Sequence, residues 1–485
     1  MRKYCNIEGI IHKAEKNLVD EEDRIPMKVN GERSRLYNIK KLGLKSLLPF
    51  ISKSPRIQNY FLSRARKDFM GVLQQRAEEQ NWSEDYLGRR LNACYQFTDV
   101  LKKTLPRLNE KTIFKLLENF FYNMAFDGLE ATREYKDKYG EYPPSFLLIS
   151  PSMACNLSCN GCWASEYEKN KLSADKVNEI IVEAKEEMGI HYIVLTGGEP
   201  TIWKPIWDIV KEHQDVAFMA YTNGQIIGKE KGEKVADKIA ELGNLYPCFS
   251  IAGDKEATDS WRGEGVYDNI QTAMKMLKER GVFFGFSSTH TKQNHDSMVS
   301  EEFFNNLIEK GCAFGWLFHY IPLGKDPDPA LSPTPEQRVQ RYDLTKKIRE
   351  SGKPIALYDF WMDGPITGGC IGWGRRYAHI NADGFVEPCA FIHFSTENVH
   401  DKTLTECLNA PFFKEARSMQ PFNENLLLPC PYIDNPDVLK HLVRKNYACP
   451  THPGAEQCVS GNVHEAVCRN AQAYKKYLEE NPVDY

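Results

Sequence analysis

Three cysteines within eight residues, Cys155, Cys159 and Cys162, make the tightest group of metal-ligating side chains in the sequence. Their C-x3-C-x2-C spacing lets one loop direct three thiolates at one centre, and cysteine thiolates are the ligands of iron–sulfur clusters. Three ligands leave one iron of a cubane cluster without a protein ligand. An open coordination position marks a metal site that does chemistry rather than one that only holds a fold. A zinc site, or three unrelated thiols, is the competing reading. Further on lies Thr196-Gly197-Gly198-Glu199-Pro200. Paired glycines let the backbone approach a ligand closely and offer unobstructed N–H groups, although alone such a pair reads as a strand-end turn.

Both motifs follow short β-rich runs. Candidate strands cover 146–150, 192–195, 217–221, 248–251, 283–287, 316–321 and 355–358, with helical patterns between them. The spacing predicts a helix over 174–188 after the cap residue Ser173, and another over 335–350 after Thr334, ending near Gly352. Alternation of this kind indicates a parallel sheet with helices outside it, and functional groups at the carboxyl ends of the strands. The expected fold class is α/β, with a core over 141–365. Residues 1–140 read as a separate helical region, carrying Phe114, Leu117, Phe120, Phe121, Met124 and Phe126. Residues 366–485 are punctuated by Gly, Pro and Cys, and are expected to fold around metal rather than around a large apolar core.

The whole-chain figures set limits on function. With 485 residues, 62 Lys or Arg and 66 Asp or Glu, the formal charge is −4, so no overall basic field argues for nucleic-acid binding. Fourteen cysteines are too few for a disulfide scaffold. The start has no apolar signal-peptide core, and no run of about 18 apolar residues suggests a spanning helix. A cytoplasmic, reducing setting follows, where clustered cysteines bind metal more often than they pair. The even charge balance conceals a local excess. From Arg33 to Lys67 there are ten basic and no acidic residues, interleaved with Leu36, Ile39, Leu44, Leu47, Leu48, Ile51, Ile57, Tyr60 and Phe61. That segment suits an anionic membrane surface, while a solvated basic face with its apolar side in the core is the equal alternative. No recognition motif supports RNA binding.

Taken together, the cysteine run and the Gly-Gly-Glu segment resemble the radical S-adenosylmethionine (radical SAM) superfamily. The resemblance covers about residues 145–360 and implies a partial (β/α)6-type barrel. It also implies that Cys155, Cys159 and Cys162 ligate a 4Fe–4S cluster whose open iron takes the amino and carboxylate groups of SAM. Gly197, Gly198 and Glu199 match the segment that holds the methionine amino group, largely through backbone. Ser250, at a strand end, and Arg262 suit the SAM ribose and carboxylate respectively, against a reading of both as surface caps. The implied chemistry is reductive cleavage of SAM to a 5′-deoxyadenosyl radical, which abstracts hydrogen from an unactivated C–H bond. The electron would come from a reduced flavodoxin- or ferredoxin-type donor. One position departs from the pattern: before the third cysteine, where the superfamily often has an aromatic residue, stands Gly161, with Trp163 just after.

Cys370, Gly384 and Cys389 form C-x13-G-x4-C, which resembles the opening half of the SPASM auxiliary-cluster domain. The compact C-x2-C-x5-C-x3-C order of the full domain is missing, so the expectation is one auxiliary cluster rather than two. Cys370, Cys389, Cys430 and Cys449 are the expected ligands, with structural zinc as the alternative metal. Cys407 and Cys468 fall in helical patterns and read as small apolar residues. Gly368-Gly-Cys370, Gly374-Arg-Arg-Tyr377 and Pro450-Thr-His-Pro-Gly454 are similar to radical SAM proteins linked to membrane-spanning lipid synthesis. This resemblance implies action on a lipid acyl chain, including carbon–carbon coupling of two tails, at the inner membrane face. Modification of a peptide or protein is the enzymatic alternative, although no winged-helix recognition module is identified in 1–140. An iron–sulfur carrier or sensor is the nonenzymatic one, and the SAM-site glycines argue against it. No acid or base is assigned; His319, Tyr320 and His379 are the candidates for facing substrate.

Overall fold

All seven expected runs form strands in the computed structural model, which describes residues 53–165, 170–229, 231–324 and 326–484. They are β1 (Phe146–Ile149), β2 (Tyr192–Leu195), β3 (Ala217–Thr222), β4 (Leu245–Ser250), β5 (Gly285–His290), β6 (Phe314–His319) and β7 (Ala356–Asp359). Apolar side chains crowd both faces of these strands, as a parallel sheet covered by helices requires. The helices Ala174–Met188 and Pro335–Glu350 form with the expected bounds. Ser173 accepts the backbone N–H of Lys176 and Gly189 closes the first helix at φ 68°. Thr334 and Gln337 close a reciprocal capping box on the second.

β4 starts three residues earlier than expected and runs through Pro247. This proline sits opposite Ala220 of β3, and pairing with β5 begins only at Cys248 and Gly285. Its missing N–H therefore interrupts no ladder with β5. β5 begins two residues later than expected and β6 two residues earlier.

The strands curl into an open half-barrel in the order β7-β6-β5-β4-β3-β2-β1-β8-β9. β8 (Tyr377–Ile380) runs parallel to β1, pairing Phe146 with Tyr377 and Ile149 with Ile380, and β9 (Val386–Glu387) returns antiparallel. Residues beyond 365 thus extend the same sheet. A short pair, β10 (Phe394–Ser395) and β11 (Cys449–Pro450), lies outside it.

The described N-terminal residues are helical: Pro55–Glu79, Glu84–Thr104, Glu110–Leu117, a π-helical stretch Glu118–Asp127, and Gly128–Tyr139. They close the end of the barrel where the strands begin. Phe120 meets Tyr192 at the start of β2 and stacks on Tyr246 near the start of β4, with ring centroids 5.2 and 6.2 Å apart. Lys115 and Asn123 donate to the carbonyls of Gln214 and Asp215 just before β3. Most of the basic segment 33–67 lies outside the described residues. Of the anchors in its described part, Phe61 is buried against Phe121 and serves the core, Ile57 is half-buried and Tyr60 is exposed. No helix of the described residues is long and apolar enough to cross a membrane.

The C-terminal residues correct one expectation, because they bury a substantial set of apolar side chains, in part against Tyr342 and Met362 of the preceding region. Trp373, Phe412, Phe413, Leu439 and Leu442 are fully buried, and Tyr342, Met362, Leu427, Leu428, Tyr474 and Leu478 form a second cluster. The helices that supply these side chains include Pro411–Ser418, Pro436–Lys445 and Gly461–Glu480. The first two are short, and each opens with a proline at a position where its missing N–H costs nothing. Those prolines read as loop punctuation and concealed the helices behind them.

Candidate active site at the strand ends

β1 ends at Ile149 and releases the chain into the loop that carries Cys155, Cys159 and Cys162. Three sets of backbone bonds hold this loop. Gly198 and Glu199 donate to the carbonyls of Ser152 and Ala154 at 3.0 and 2.9 Å, Asn160 donates to Trp261 at 2.9 Å, and Leu172 donates to Pro151 at 2.9 Å. Of the pair's N–H groups, that of Gly198 is therefore spent on the cysteine loop, as is the N–H of the neighbouring Glu199. The two glycines are needed for contact. A Cβ on Gly197, at φ 105°, would stand 2.4 Å from the Ser152 oxygen, and one on Gly198 only 2.1 Å from that of Ala154. An ammonium group needs acceptors, so carbonyls rather than N–H groups suit it in any case.

Glu199 is 1% exposed and fully used. Its carboxylate accepts from the Thr201 N–H and hydroxyl, the Thr222 hydroxyl and the Asn223 N–H. Burial pushes its pKa up and these donors pull it back. It ties the end of β2 to the end of β3, which places Asn223. The Asn223 amide points at Asn156 Oδ1 (2.7 Å) and the Cys155 sulfur (3.8 Å).

One cavity of about 190 Å³ gathers the expected SAM-site residues: Cys155, Cys159, Cys162, Gly197, Gly198, Glu199, Ser250 and Arg262 all line it. Ser250 shares a 3.3 Å contact with the Ser287 hydroxyl. The Nε of Arg262 is buried with no hydrogen-bond partner, the state expected of a guanidinium built for an absent anion. Gly161, the departure from the superfamily pattern, sits at φ 56° against the rings of Tyr320 and Trp261, 2.9 and 3.1 Å from where a Cβ would be. Those two rings, 6.0 Å apart and edge to face, supply an aromatic wall at the place where the family residue is missing.

The lining also includes Tyr377, the end of the Gly374-Arg-Arg-Tyr377 motif, and Tyr221, Trp316, Phe318, Phe360 and Phe391, none of which the sequence singled out. Of the three candidates for facing substrate, His319 and Tyr320 line the cavity and His379 does not. Arginine only donates, so the 3.3 Å contact from Arg341 makes His319 Nε2 an acceptor. Burial, with the Arg341 charge second, holds the imidazole pKa far below its ordinary value. His379 is fully buried between Ser150 (2.7 Å) and Glu387 (2.6 Å), a satisfied link joining β1, β8 and β9.

A smaller, apolar cavity lies behind the first and contains Cys370, Cys389 and Cys430. The three come from the turn before β8, from the residues after β9, and from a loop anchored by Asp434. Asp434 accepts the Cys430 N–H at 3.0 Å and pairs with Arg338 at 2.9 Å, both carboxylate and guanidinium being buried. Burial pushes the Cys370 thiol to about 11 and the Cys430 thiol to about 12. Cys449 is placed elsewhere, exposed on β11 opposite Ser395. Cys407 is buried within a short helix and Cys468 lies 3.6 Å from His464.

Comparison with known proteins agrees with this geometry. Residues 149–300 match the Radical SAM superfamily, and residues 370–431 match SPASM, an iron–sulfur cluster-binding domain. The AdoMet-dependent heme synthase of Oleidesulfovibrio alaskensis is 23% identical over 58% of this chain and 79% of its own. The mycofactocin maturase MftC of Mycolicibacterium smegmatis is 30% identical over 54% of this chain and 66% of its own. The crystal structure of Streptococcus suis SuiB bound to S-adenosylmethionine shares the fold, with a TM-score of 0.52 and 20% identity, covering 63% of this chain and 76% of that one. A 4Fe–4S cluster with SAM, and auxiliary iron–sulfur at the second domain, are the cofactors these domains imply, and both cavities present thiols suited to them. The chain thus carries a radical SAM domain followed by a SPASM domain, the combination of a radical SAM enzyme.

Proposed function

We propose that the enzyme abstracts hydrogen from an unactivated C–H bond in an apolar segment of its substrate, a lipid acyl chain being the first reading. The observation that carries it is the aromatic wall of the reaction cavity. Phe318 stands at its middle, with ring centroids 5.3 Å from Phe360, 5.9 Å from Phe391 and 5.9 Å from Tyr221. Such a surface holds methylene groups and excludes water.

When bound, the cluster and SAM supply the 5′-deoxyadenosyl radical. In this reading Cys155, Cys159 and Cys162 hold the cluster, while Asn223 orients the Cys155 sulfur. Arg262 takes the SAM carboxylate, Ser250 and Ser287 take the ribose hydroxyls, and Trp261 and Tyr320 enclose the nucleoside against Gly161. Cys370, Cys389 and Cys430 hold the auxiliary cluster. A reduced flavodoxin or ferredoxin supplies the electron. A peripheral position on an anionic membrane fits the basic segment 33–67 and brings the enzyme to acyl chains.

A second reading, modification of a peptide, is supported by the relatives: MftC is a maturase, and SuiB is known bound to its precursor peptide. Against it, residues 55–139 form helices, with no strand that a winged-helix recognition module would need among the described residues. Acyl chains deuterated along their length separate the two. Deuterium transfer into 5′-deoxyadenosine under anaerobic reduction supports the lipid reading. Transfer from a deuterated peptide and none from lipid overturns it. Flotation with anionic liposomes tests the membrane position separately, and full-length protein that stays with the unbound fraction rejects it.

A further inference from the structure

Of the motif Gly374-Arg-Arg-Tyr377, the reaction cavity uses only Tyr377. The two arginines lie at the opposite end of the half-barrel, just before β8, where the Arg376 carbonyl accepts the N–H of Ser145 at 2.7 Å ahead of β1. Both are half-buried, as are Arg76 and Arg90 on the helices Pro55–Glu79 and Glu84–Thr104. Tyr142 and the loop 365–368 bring the four together. The Arg76 guanidinium stands 4.5 Å from the centre of the Tyr142 ring, on the segment that leads to Ser145. Arg375 donates to the carbonyls of Thr367 and Cys370 at 2.9 and 2.7 Å. The helix that carries Arg90 packs on the same loop: Arg89 donates to the Pro365 carbonyl at 3.0 Å, and the Tyr86 hydroxyl lies 2.9 Å from where a Cβ on Gly368 would be.

Guanidiniums gathered in this way repel one another unless an anion sits among them. Elsewhere in the protein Arg338, Arg341, Arg349 and Arg417 each meet a carboxylate, those of Asp434, Asp359, Asp363 and Glu141. Among the described residues no carboxylate forms an ion pair with Arg76, Arg90, Arg375 or Arg376. The acidic side chains near them are engaged: Glu79 by Lys136 and Tyr142, Asp85 by Arg89, and Glu141 by Arg417. Burial, followed by the Arg376 charge, lowers the pKa of Arg76, Arg90 and Arg375 alike. The Nη2 of Arg375 and the Nε of Arg376 are buried with no hydrogen-bond partner, as is the Nε of Arg262 in the reaction cavity. Buried open donors and uncompensated positive charge mark a place built for an anion. A phosphate group, with its several oxygens, meets more than one guanidinium fork at once.

We propose that Arg76, Arg90, Arg375 and Arg376 form a binding site for the phosphate group of an ester, at the end of the half-barrel away from the cysteine loop. Two of its arginines belong to the N-terminal helices and two to the SPASM segment, so a bound phosphate bridges these regions. A soluble phosphate monoester and a phospholipid headgroup present the same oxygens to it. The site goes beyond the C–H chemistry and does not depend on which substrate the radical attacks.

The test titrates the full chain with sn-glycerol 3-phosphate by isothermal calorimetry, and floats it with vesicles of phosphatidylcholine alone or containing phosphatidic acid. Arg76→Gln and Arg90→Gln are compared with the wild type, beside Arg90→Lys, which keeps the charge and loses the fork. Circular dichroism checks that each variant is folded. The expected result is saturable binding by the wild type, weakened about tenfold or more by either Gln variant. Phosphatidic acid vesicles that displace glycerol 3-phosphate, with flotation reduced in the Gln variants, assign the site to a lipid headgroup. Arginine-dependent calorimetric binding with flotation unchanged in the variants assigns it to a soluble ester. Unchanged affinity for both probes in the folded variants, or no saturable binding of either probe by the wild type, overturns the proposal. Where a Gln variant does not fold, Arg90→Lys decides by the same criterion, with a loss of affinity expected.

Discussion

Cys155, Cys159 and Cys162 come from one loop of eight residues, whereas Cys370, Cys389 and Cys430 come from three separate segments brought together by the fold. The first set needs the backbone of a neighbouring loop, Gly197 to Glu199, to hold its shape. The second needs a long-range scaffold in which the helix Pro335–Glu350 supplies Arg338 to Asp434 and so fixes the Cys430 loop. Compact spacing makes a site robust to distant change and vulnerable to contact at one loop. Assembly from distant segments reverses both properties.

Four substitutions break or sharpen that contrast. The largest effect is expected from Gly198→Ala, whose Cβ would collide with the Ala154 carbonyl. It should abolish loading of the first cluster and SAM cleavage while the second cluster remains, as iron and sulfide counts and the electron paramagnetic resonance spectrum would report. Next is Arg338→Ala, which strands a buried Asp434 and should cost about 3–5 kcal/mol in denaturant unfolding. Its iron loss should fall on the second site first; equal loss at both would remove the contrast. Asn223→Ala removes the side chain oriented at the Cys155 sulfur, and outer-shell changes of this kind lower activity roughly 10–100-fold. Initial rates of 5′-deoxyadenosine formation measure it, with the second cluster's spectrum unchanged. The smallest effect is expected from Cys449→Ser, an exposed position where a surface substitution stays within about 0.5 kcal/mol. Iron content should not change.

The same contrast explains what the sequence made legible. The half-barrel could be read because its strands are short β-rich runs punctuated by caps such as Ser173 and Thr334. The first site could be read because its chemistry lies in adjacent residues. The aromatic wall could not, since Tyr221, Trp316, Phe318, Phe360 and Phe391 look like core residues until the strands are set side by side. β8 was missed because Tyr377-Ala-His-Ile380 is short and follows a Gly-rich turn, and only pairing with β1 makes it a strand. Cys430 and Cys449 share a Cys-Pro context in the sequence. Only the fold shows that one faces the cavity and the other solvent. Trp261 and Tyr320 are separated widely in sequence, so their joint closure on Gly161 had no local signal.

Reductive cleavage of SAM by the cluster at Cys155, Cys159 and Cys162 is the central claim, and one measurement addresses it directly. Wild type and Cys155→Ala are reconstituted anaerobically with iron and sulfide, reduced in the presence of SAM, and analysed chromatographically for 5′-deoxyadenosine. The account predicts product from the wild type and none above background from the variant, which should still carry its second cluster. Equal product from both, or none from a wild type with its first cluster loaded, would contradict it.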